Sequence, residues 1–570
     1  MVNLTIDGKA VQVREGSTIL EAAGMIGIRI PTLCYLKEIN EIGACRVCVV
    51  EVEGNQNLCA ACNTVAEEGM VIRTNSPRVR TTRRVNLELI LAAHNTACTS
   101  CVRSGNCTLQ TLAKDHNIAE IPYEVHYRPN NWDQSQPLIR ERDKCVKCMR
   151  CVNVCDKIQD LGVWDVLGTG FRTVVGLREG SGLKDVNCSL CGQCITHCPV
   201  GALHERDDTQ KLLDALADPE KIVIAQVAPA VRAAWGADAG VPQETATVGR
   251  MVAAMKGLGF HYVFDTDFAA DLTIMEEGSE LLERMKDKEH WPMFTSCCPG
   301  WVRFVKQNYP EFLPNLSSAK SPQQMFGTMA KTWFAEKLGV SADKIYSVSF
   351  MPCTAKKYEC DVPEVNGSEA QDVDLVLTTR ELGRVLRGSG QVLELLPEAE
   401  FDRPFGLGTG AGVIFGTTGG VMEAALRSAH YLVTGQNPDP DAFSAVRGVE
   451  GWRERDVKVG EAALKVAVAN GLGNARKLLE AIKAGKVHYD FVEIMACPGG
   501  CAGGGGQPIT DGMELAEVRG DVLRDLDAKS RIRFSHENPD VQQAYAEYLG
   551  KPLGEKAHHL LHTKQENWTI

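Results

Sequence analysis

CVKCMRCVNVC (145–155) and CSLCGQCITHCP (188–199) repeat one spacing, C-x2-C-x2-C-x3-C. That spacing suits two iron–sulfur cubes, because three closely spaced thiolates of each run bind one cube and the fourth reaches across to the other. Cys145, Cys148, Cys151 and Cys198 are therefore expected to hold one [4Fe–4S] cluster, and Cys188, Cys191, Cys194 and Cys155 the second. Structural zinc sites use different spacings. Pro199 follows the second run, whereas Asp156 stands where the first would also carry a proline. Residues 127–209 are assigned to this unit.

The chain has 570 residues, enough for about three to four folding units. Its net charge of −12 and isoelectric point near 5.7 argue against a nucleic-acid partner, which would need basic stripes. MVNLTIDGKAVQV lacks the basic and apolar regions of a signal peptide. The longest apolar stretch, IVIAQVAPAVRAAW (222–235), is broken by Pro229 and Arg232, so no membrane span is expected. A cytoplasmic, reducing setting follows, where clustered cysteines bind metal more often than they form disulfides.

Upstream of the paired runs, VNLTIDGKAVQV alternates around an Asp7-Gly8 turn, and Thr18 with Glu21 forms a capping box for ILEAAG. Cys34, Cys45, Cys48 and Cys62 follow, with VCVVEVEG as a further strand. Residues 1–78 thus resemble a ferredoxin-like β-grasp module holding a [2Fe–2S] cluster. The spacing is not the plant-type C-x4-C-x2-C, but resembles the variant at the front of large redox subunits. Cys59 competes as fourth ligand; Cys62 is preferred because ACNT (61–64) matches those relatives. Residues 79–126 carry His94, Cys98, Cys101 and Cys107 after the helical stretch RRVNLELILAAH. A zinc knuckle beside a surface histidine is one reading. Beside a [2Fe–2S] module, a [4Fe–4S] cluster with one histidine and three cysteines is the better one. Imidazole in place of thiolate removes a negative charge and alters the potential.

From 210 to 570 the texture becomes strands alternating with helices: KIVIAQVAP, YVFDT, PMFTSC, IYSVSFMPC, VDLVLTT, LKVAVA and DFVEIMACP, with helical stretches such as ATVGRMVAAMKGLG between them. This predicts an α/β unit with mainly parallel sheets, in two lobes with a cleft. Cys298, Cys353 and Cys497 each fall just past a predicted strand's carboxyl end, where open α/β sheets place ligands. The fold expected for the whole chain is therefore multidomain α+β and α/β.

Three motifs converge in this last unit: TSCCPGW (295–301), MPCTAKK (351–357) and MACPGGCAGGGGQP (495–508). Together, and with the order of upstream cluster motifs, they resemble the [FeFe]-hydrogenases along the whole chain. The resemblance implies an H-cluster: a [4Fe–4S] cube on Cys298, Cys353, Cys497 and Cys501, with Cys501 bridging to a two-iron unit carrying CO, cyanide and an azadithiolate. It further implies one [2Fe–2S] and three accessory [4Fe–4S] clusters. Four thiolates suffice for a cube, and the remaining irons need non-protein ligands, since no spare histidine or cysteine group is left. Cys59 and Cys360 stay unassigned. The glycines after Cys501, and those of GLGTGAGVIFGTTGG (406–420), fit neither a Walker loop nor a dinucleotide fingerprint. They are expected to let backbone approach a bulky cofactor closely.

By the same resemblance, Cys297 passes protons to the cofactor's amine, and Glu277, Ser317, Glu280 and Arg284 complete a proton route. Taken alone, Glu280 and Arg284 at i,i+4 read as a surface pair and Ser317 as a cap. Lys356 is implied as a donor to a cyanide ligand. Met351, Met495 and Phe415 match the apolar pocket, which core packing would equally explain. Ser321 and Gln323 look like pocket polar groups. Pro229-Ala230 stands where some relatives have Pro-Ser, which removes one hydroxyl contact.

The implied activity is 2 H⁺ + 2 e⁻ ⇌ H₂. An electron-transfer subunit of the NADH-dehydrogenase type explains the first 200 residues as well, but not the last three motifs. A hydrogen sensor would lose the relay set. An iron–sulfur assembly protein of related fold would lack the Cys297 match. Ferredoxin, or flavin- and NAD(P)-binding partner subunits, would exchange electrons. Maturation proteins would build the two-iron unit.

Overall fold

The computed structural model describes residues 1–125, 127, 131–178 and 182–565. The boundary expected at 126 and the last unit's end at 570 lie outside the described residues. The alternation around Asp7-Gly8 forms a hairpin of β1 (Val2–Ile6) and β2 (Lys9–Val13), and both turn residues adopt positive φ as a tight hairpin requires. With β3 (Val49–Val52), β4 (Cys59–Ala60) and β5 (Val71–Arg73) they make a sheet in the order β2-β1-β5-β3-β4. Helix Ile19–Met25 carries the Thr18–Glu21 capping box and packs Ile19, Ala22 and Ala23 into a core with Leu4, Ile6, Val13, Val50 and Ile72. Helix Pro77–Ala92 begins under a Ser76 cap, inside the stretch assigned to the first unit. Arg83 ties it to β3 by donating to the Val49 carbonyl at 2.7 Å.

The two paired runs fold alike. Lys147 and Leu190, each two residues past the run's first cysteine, have φ of 54° and 55°. Met149 and Gly192, two residues further, have 65° and 72°. A left-handed non-glycine residue costs roughly 1–2 kcal/mol, so what these loops enclose must offset their curl. Two short antiparallel pairs flank them, β6 (Leu138–Arg140) with β9 (Leu203–Glu205), and β7 (Trp164–Leu167) with β8 (Val174–Leu177).

The last unit has two four-stranded sheets. The first, β11-β10-β13-β14, is wholly parallel: β10 (Ile222–Val227), β11 (Tyr262–Asp265), β13 (Ile345–Met351) and β14 (Leu375–Thr378). The second, β12-β17-β16-β15, is parallel across β12 (Met293–Phe294), β17 (Phe491–Met495) and β16 (Ala462–Asn470). β15 (Trp452–Val459) pairs antiparallel with β16. It was not anticipated: its RERDVK stretch is charged and half-exposed, as suits an edge strand. Helices cover both sheets, and each sheet buries apolar clusters on both sides.

The segment after 510 wraps back over this unit. Asp527 receives Arg427 at 2.8 Å, and Asp271 accepts the Ser535 hydroxyl at 2.7 Å. No helix among the described residues is long and apolar enough to cross a membrane.

Candidate functional site

Cys298 caps helix Pro299–Asn308 just past β12, Cys353 lies two residues past β13, Cys497 two past β17, and Cys501 in the turn Gly500–Gly503. Strand ends from both sheets thus deliver four thiols to one place. All four are free and pushed above the ordinary thiol range, first by burial. Cys353, Cys497 and Cys501 are raised further by neighbouring thiols, Cys353 reaching about 12. Buried thiols that oppose one another's ionisation suit a site completed by metal cations, which would hold all four as thiolates. The residues fit an iron–sulfur cube.

Beside them is a cavity of about 70 Å³ reached by Cys297, Cys298, Cys353 and Cys501. Met351, Phe415, Met495, Pro229 and Ala230 supply its apolar wall, and Gln323 and Lys356 its polar groups. Ser321 does not line it. Its hydroxyl points behind the wall to the Glu359 carboxylate at 2.9 Å, a correction to the reading of Ser321 as a pocket group. Glu359 is the hub that sequence reading missed, although KKYE places it three residues after Lys356. It accepts from Lys356 Nζ at 2.7 Å and Gln323 Nε2 at 3.1 Å as well. Lys356 also donates to the Cys297 carbonyl at 3.2 Å.

The glycines after Cys501 serve a different purpose from the one expected. A Cβ on Gly505 would meet the Cys191 carbonyl at 2.3 Å, and one on Gly504 the Pro352 carbonyl at 2.0 Å. They bring backbone against other ligand loops. Gly416, by contrast, lines the cavity and packs on Ala230 and Leu523.

Helix Thr266–Asp287 carries Glu277 and Glu280, the acidic groups of the expected proton route. Glu277 is fully buried, and neither carboxylate oxygen has a hydrogen-bond partner. Burial, then the neighbouring Glu280, pushes it up to about 8, while nearby Ser317 and the Ser296 backbone partly offset the rise. Cys297 is pushed up by burial and next by Glu277. Glu280 accepts the Ser317 hydroxyl at 2.7 Å and the Arg284 guanidinium at 2.6 Å. The expected order Arg284, Glu280, Ser317, Glu277, Cys297 is a spatial sequence leading from a partly exposed arginine to the cavity.

The other cysteine sets also gather. Cys34 touches Cys45 and Cys62, and Cys62 touches Cys48, whereas Cys59 lies apart beside Asn55. Cys145, Cys148, Cys151 and Cys198 line one small cavity. Burial raises Cys191 and Cys194 first; Cys188 and Cys155 then raise Cys194, and Cys497, Cys194 and Cys188 raise Cys191, so the four thiols expected to share the second cluster lie together. His94 Nδ1 lies 2.9 Å from the Lys144 carbonyl and donates to it, which leaves Nε2 as an acceptor able to ligate a metal. A Cβ on Gly201 would come within 2.5 Å of Cys101 Sγ, which presses this module onto the paired runs. The Cys497 thiol faces the Cys191 carbonyl at 3.7 Å, linking the nearer run to the last site.

Comparison with known proteins agrees with this geometry. Residues 221–505 match the family described as iron only hydrogenase large subunit, C-terminal domain. Residues 1–77 match a 2Fe-2S iron-sulfur cluster binding domain, 83–122 the NADH-ubiquinone oxidoreductase-G iron-sulfur binding region, and 144–202 a 4Fe-4S dicluster domain. Residues 513–567 match the iron hydrogenase small subunit, a relationship the sequence reading did not find. The chain is 49% identical to the NADP-reducing hydrogenase subunit HndD of Solidesulfovibrio fructosivorans, over 99% of this chain and 98% of the relative. It is 40% identical to iron hydrogenase 1 of Clostridium pasteurianum, over 99% and 100%. A solved apo [FeFe]-hydrogenase HydA1 from Chlamydomonas reinhardtii superimposes with a TM-score of 0.57 at 44% identity, covering 63% of this chain and 98% of that one.

Proposed function

The chain belongs to the iron-only, or [FeFe]-, hydrogenase family, and from that premise we propose how its residues divide the work of 2 H⁺ + 2 e⁻ ⇌ H₂. It is a hydrogenase served by accessory iron–sulfur clusters. The observation that carries the site assignment is the meeting of Cys298, Cys353, Cys497 and Cys501 beside a mostly apolar cavity that Cys297 lines. These four would hold the iron–sulfur cube of an H-cluster, with Cys501 the thiol that borders the cavity for its two-iron unit. When bound, that cofactor supplies the redox and hydrogen-activating chemistry.

The protein's own residues bind, orient and move protons. Met351, Met495, Phe415 and Pro229-Ala230 exclude water. Lys356, held by Glu359, offers N–H to the cavity, and Gln323 holds Glu359 in turn. Protons pass along Arg284, Glu280, Ser317, Glu277 and the Cys297 Sγ. A buried carboxyl near pH 8 and a neutral thiol can each give and regain a proton. Cys34, Cys45, Cys48 and Cys62 would hold the [2Fe–2S] cluster of the β-grasp unit. His94 with Cys98, Cys101 and Cys107, and the two crossed sets, would hold the accessory [4Fe–4S] clusters.

The likeness to an NADP-reducing hydrogenase subunit supports a catalytic subunit in a cytoplasmic, multi-subunit enzyme, with NAD(P) and flavin on other chains. Co-purification of the native protein tests this: recovery alone, without a nucleotide-binding subunit, opposes it. For the site, matured protein should evolve H₂ from a reduced donor and lose that activity in Cys353→Ala. Retained activity there opposes the ligand assignment.

A further inference from the structure

Among the buried carboxylates of helix Thr266–Asp287, Glu276 lies outside the proton route and faces the carboxyl-terminal segment. It accepts from the Tyr545 hydroxyl, from the Leu553 backbone N–H at 2.9 Å and from His562 Nε2 at 3.0 Å. All three donors come from the carboxyl-terminal segment. With Nε2–H committed to Glu276, His562 Nδ1 is left to accept the Ser318 hydroxyl, 2.8 Å away. Ser318 adjoins the relay serine, and its own backbone N–H donates to Glu280 at 3.1 Å.

The same tail grips this turn along its backbone. Thr563 N–H donates to the Ser318 carbonyl at 2.8 Å, Lys320 N–H to the Leu561 carbonyl at 2.8 Å, and Gln565 Nε2 to the Ser317 carbonyl at 3.0 Å. Ala319 and His562 pair as an isolated antiparallel bridge.

We propose that the Glu276–His562–Ser318 chain is a positioning device for the proton relay, holding the Ser317–Ser318 turn so that the Ser317 hydroxyl and the Arg284 guanidinium keep their places on Glu280 beside the Ser318 backbone N–H. His562 and Ser318 are positioning residues. They touch neither the cavity nor its ligands. Their effect is twofold: they fix the backbone donor on Glu280, and they turn the Ser318 hydroxyl away so that it cannot compete with that of Ser317. The inference rests on the relay reading above. It gives the small-subunit-like tail a part in proton transfer, in addition to covering the catalytic unit.

The test compares Ser318→Ala, Ser318→Thr, His562→Gln and Glu280→Ala in matured enzyme, together with hydrogen exchange of the unmatured protein over 315–321 and 560–565. Losing one such bond should slow turnover about tenfold in Ser318→Ala and His562→Gln. It should also raise the H₂O/D₂O rate ratio and speed exchange of the 315–321 amides, while Ser318→Thr restores all three. Faster exchange with an unchanged rate ratio would reduce the latch to a structural staple and overturn the proposal. Unchanged exchange would overturn it too. Full activity in Glu280→Ala would instead remove the relay reading, a failure that the exchange data do not share.

Discussion

Asn40 Nδ2 donates to the Cys148 carbonyl at 3.0 Å, across 108 residues of chain, and also to the Cys34 carbonyl at 2.6 Å. Its Oδ1 accepts from Asn153. One fully buried amide therefore joins the ligand loop of the first unit to a loop of the paired runs. Gly201 and Cys101 press the His94 module against the same runs. Two accessory sites thus meet the paired runs, one at Cys148 and one at Gly201, and the Cys191–Cys497 contact continues inward.

Replacing Asn40 by alanine should strand two buried carbonyls and loosen the first unit by about 1–3 kcal/mol. The expected outcome is earlier thermal loss of the [2Fe–2S] signal, with the signals of the paired clusters unchanged. Coincident melting of all clusters at the wild-type temperature contradicts this.

Gly505→Ala should be poorly tolerated although it adds one methyl. Its Cβ would sit 2.3 Å from the Cys191 carbonyl and 2.6 Å from Gly192 Cα, both backbone atoms that cannot swing aside. Forcing the loops apart should cost about 1–3 kcal/mol and slow donor-driven turnover. A crystal structure with an unmoved 191–192 loop and normal turnover rules it out.

Glu277 gives a pH signature. Its carboxyl rises from 4.5 to about 8 on folding, so folding takes up a proton between those values. Stability attached to this group is complete below pH 4.5, falls as pH rises, and levels off above 8, by somewhat more than 1 kcal/mol per pH unit. Glu277→Gln removes the dependence. Its advantage in melting temperature over wild type should grow from pH 5 to pH 8, while turnover drops about a hundredfold or more. A constant difference across that range shows that the carboxyl does not titrate as described.

Cys297→Ala should leave iron content intact, because this thiol adjoins a ligand without belonging to the four. Turnover should fall by about two to four orders of magnitude, the usual loss with a positioned proton carrier. Loss of iron together with activity would make Cys297 a ligand instead.

Much of this arrangement is legible in the chain because metal ligands are written as spacings. The crossed runs at 145–155 and 188–199 need no tertiary information, and strand ends before Cys298, Cys353 and Cys497 follow from short apolar runs. Glu359 and Asn40 were invisible for the opposite reason: each acts on partners that only folding brings near. Ser321 was misread because a serine beside a motif does not disclose which way its hydroxyl turns. The glycines after Cys501 correctly signalled close approach, but composition could not say whether cofactor or backbone was approached. β15 was missed because a charged edge strand lacks the apolar signal of buried ones. The tail after 510 carries no cysteine, so nothing in a ligand-led reading drew attention to it.

Four thiols delivered by strand ends of both sheets, beside Cys297, are what would anchor an organometallic iron site. Infrared spectroscopy of the matured protein tests it most directly. Carbonyl and cyanide bands are expected in wild type and in Cys297→Ala, and none in Cys501→Ala. Hydrogen evolution by matured wild type without those bands, or bands that persist in Cys501→Ala, would contradict it.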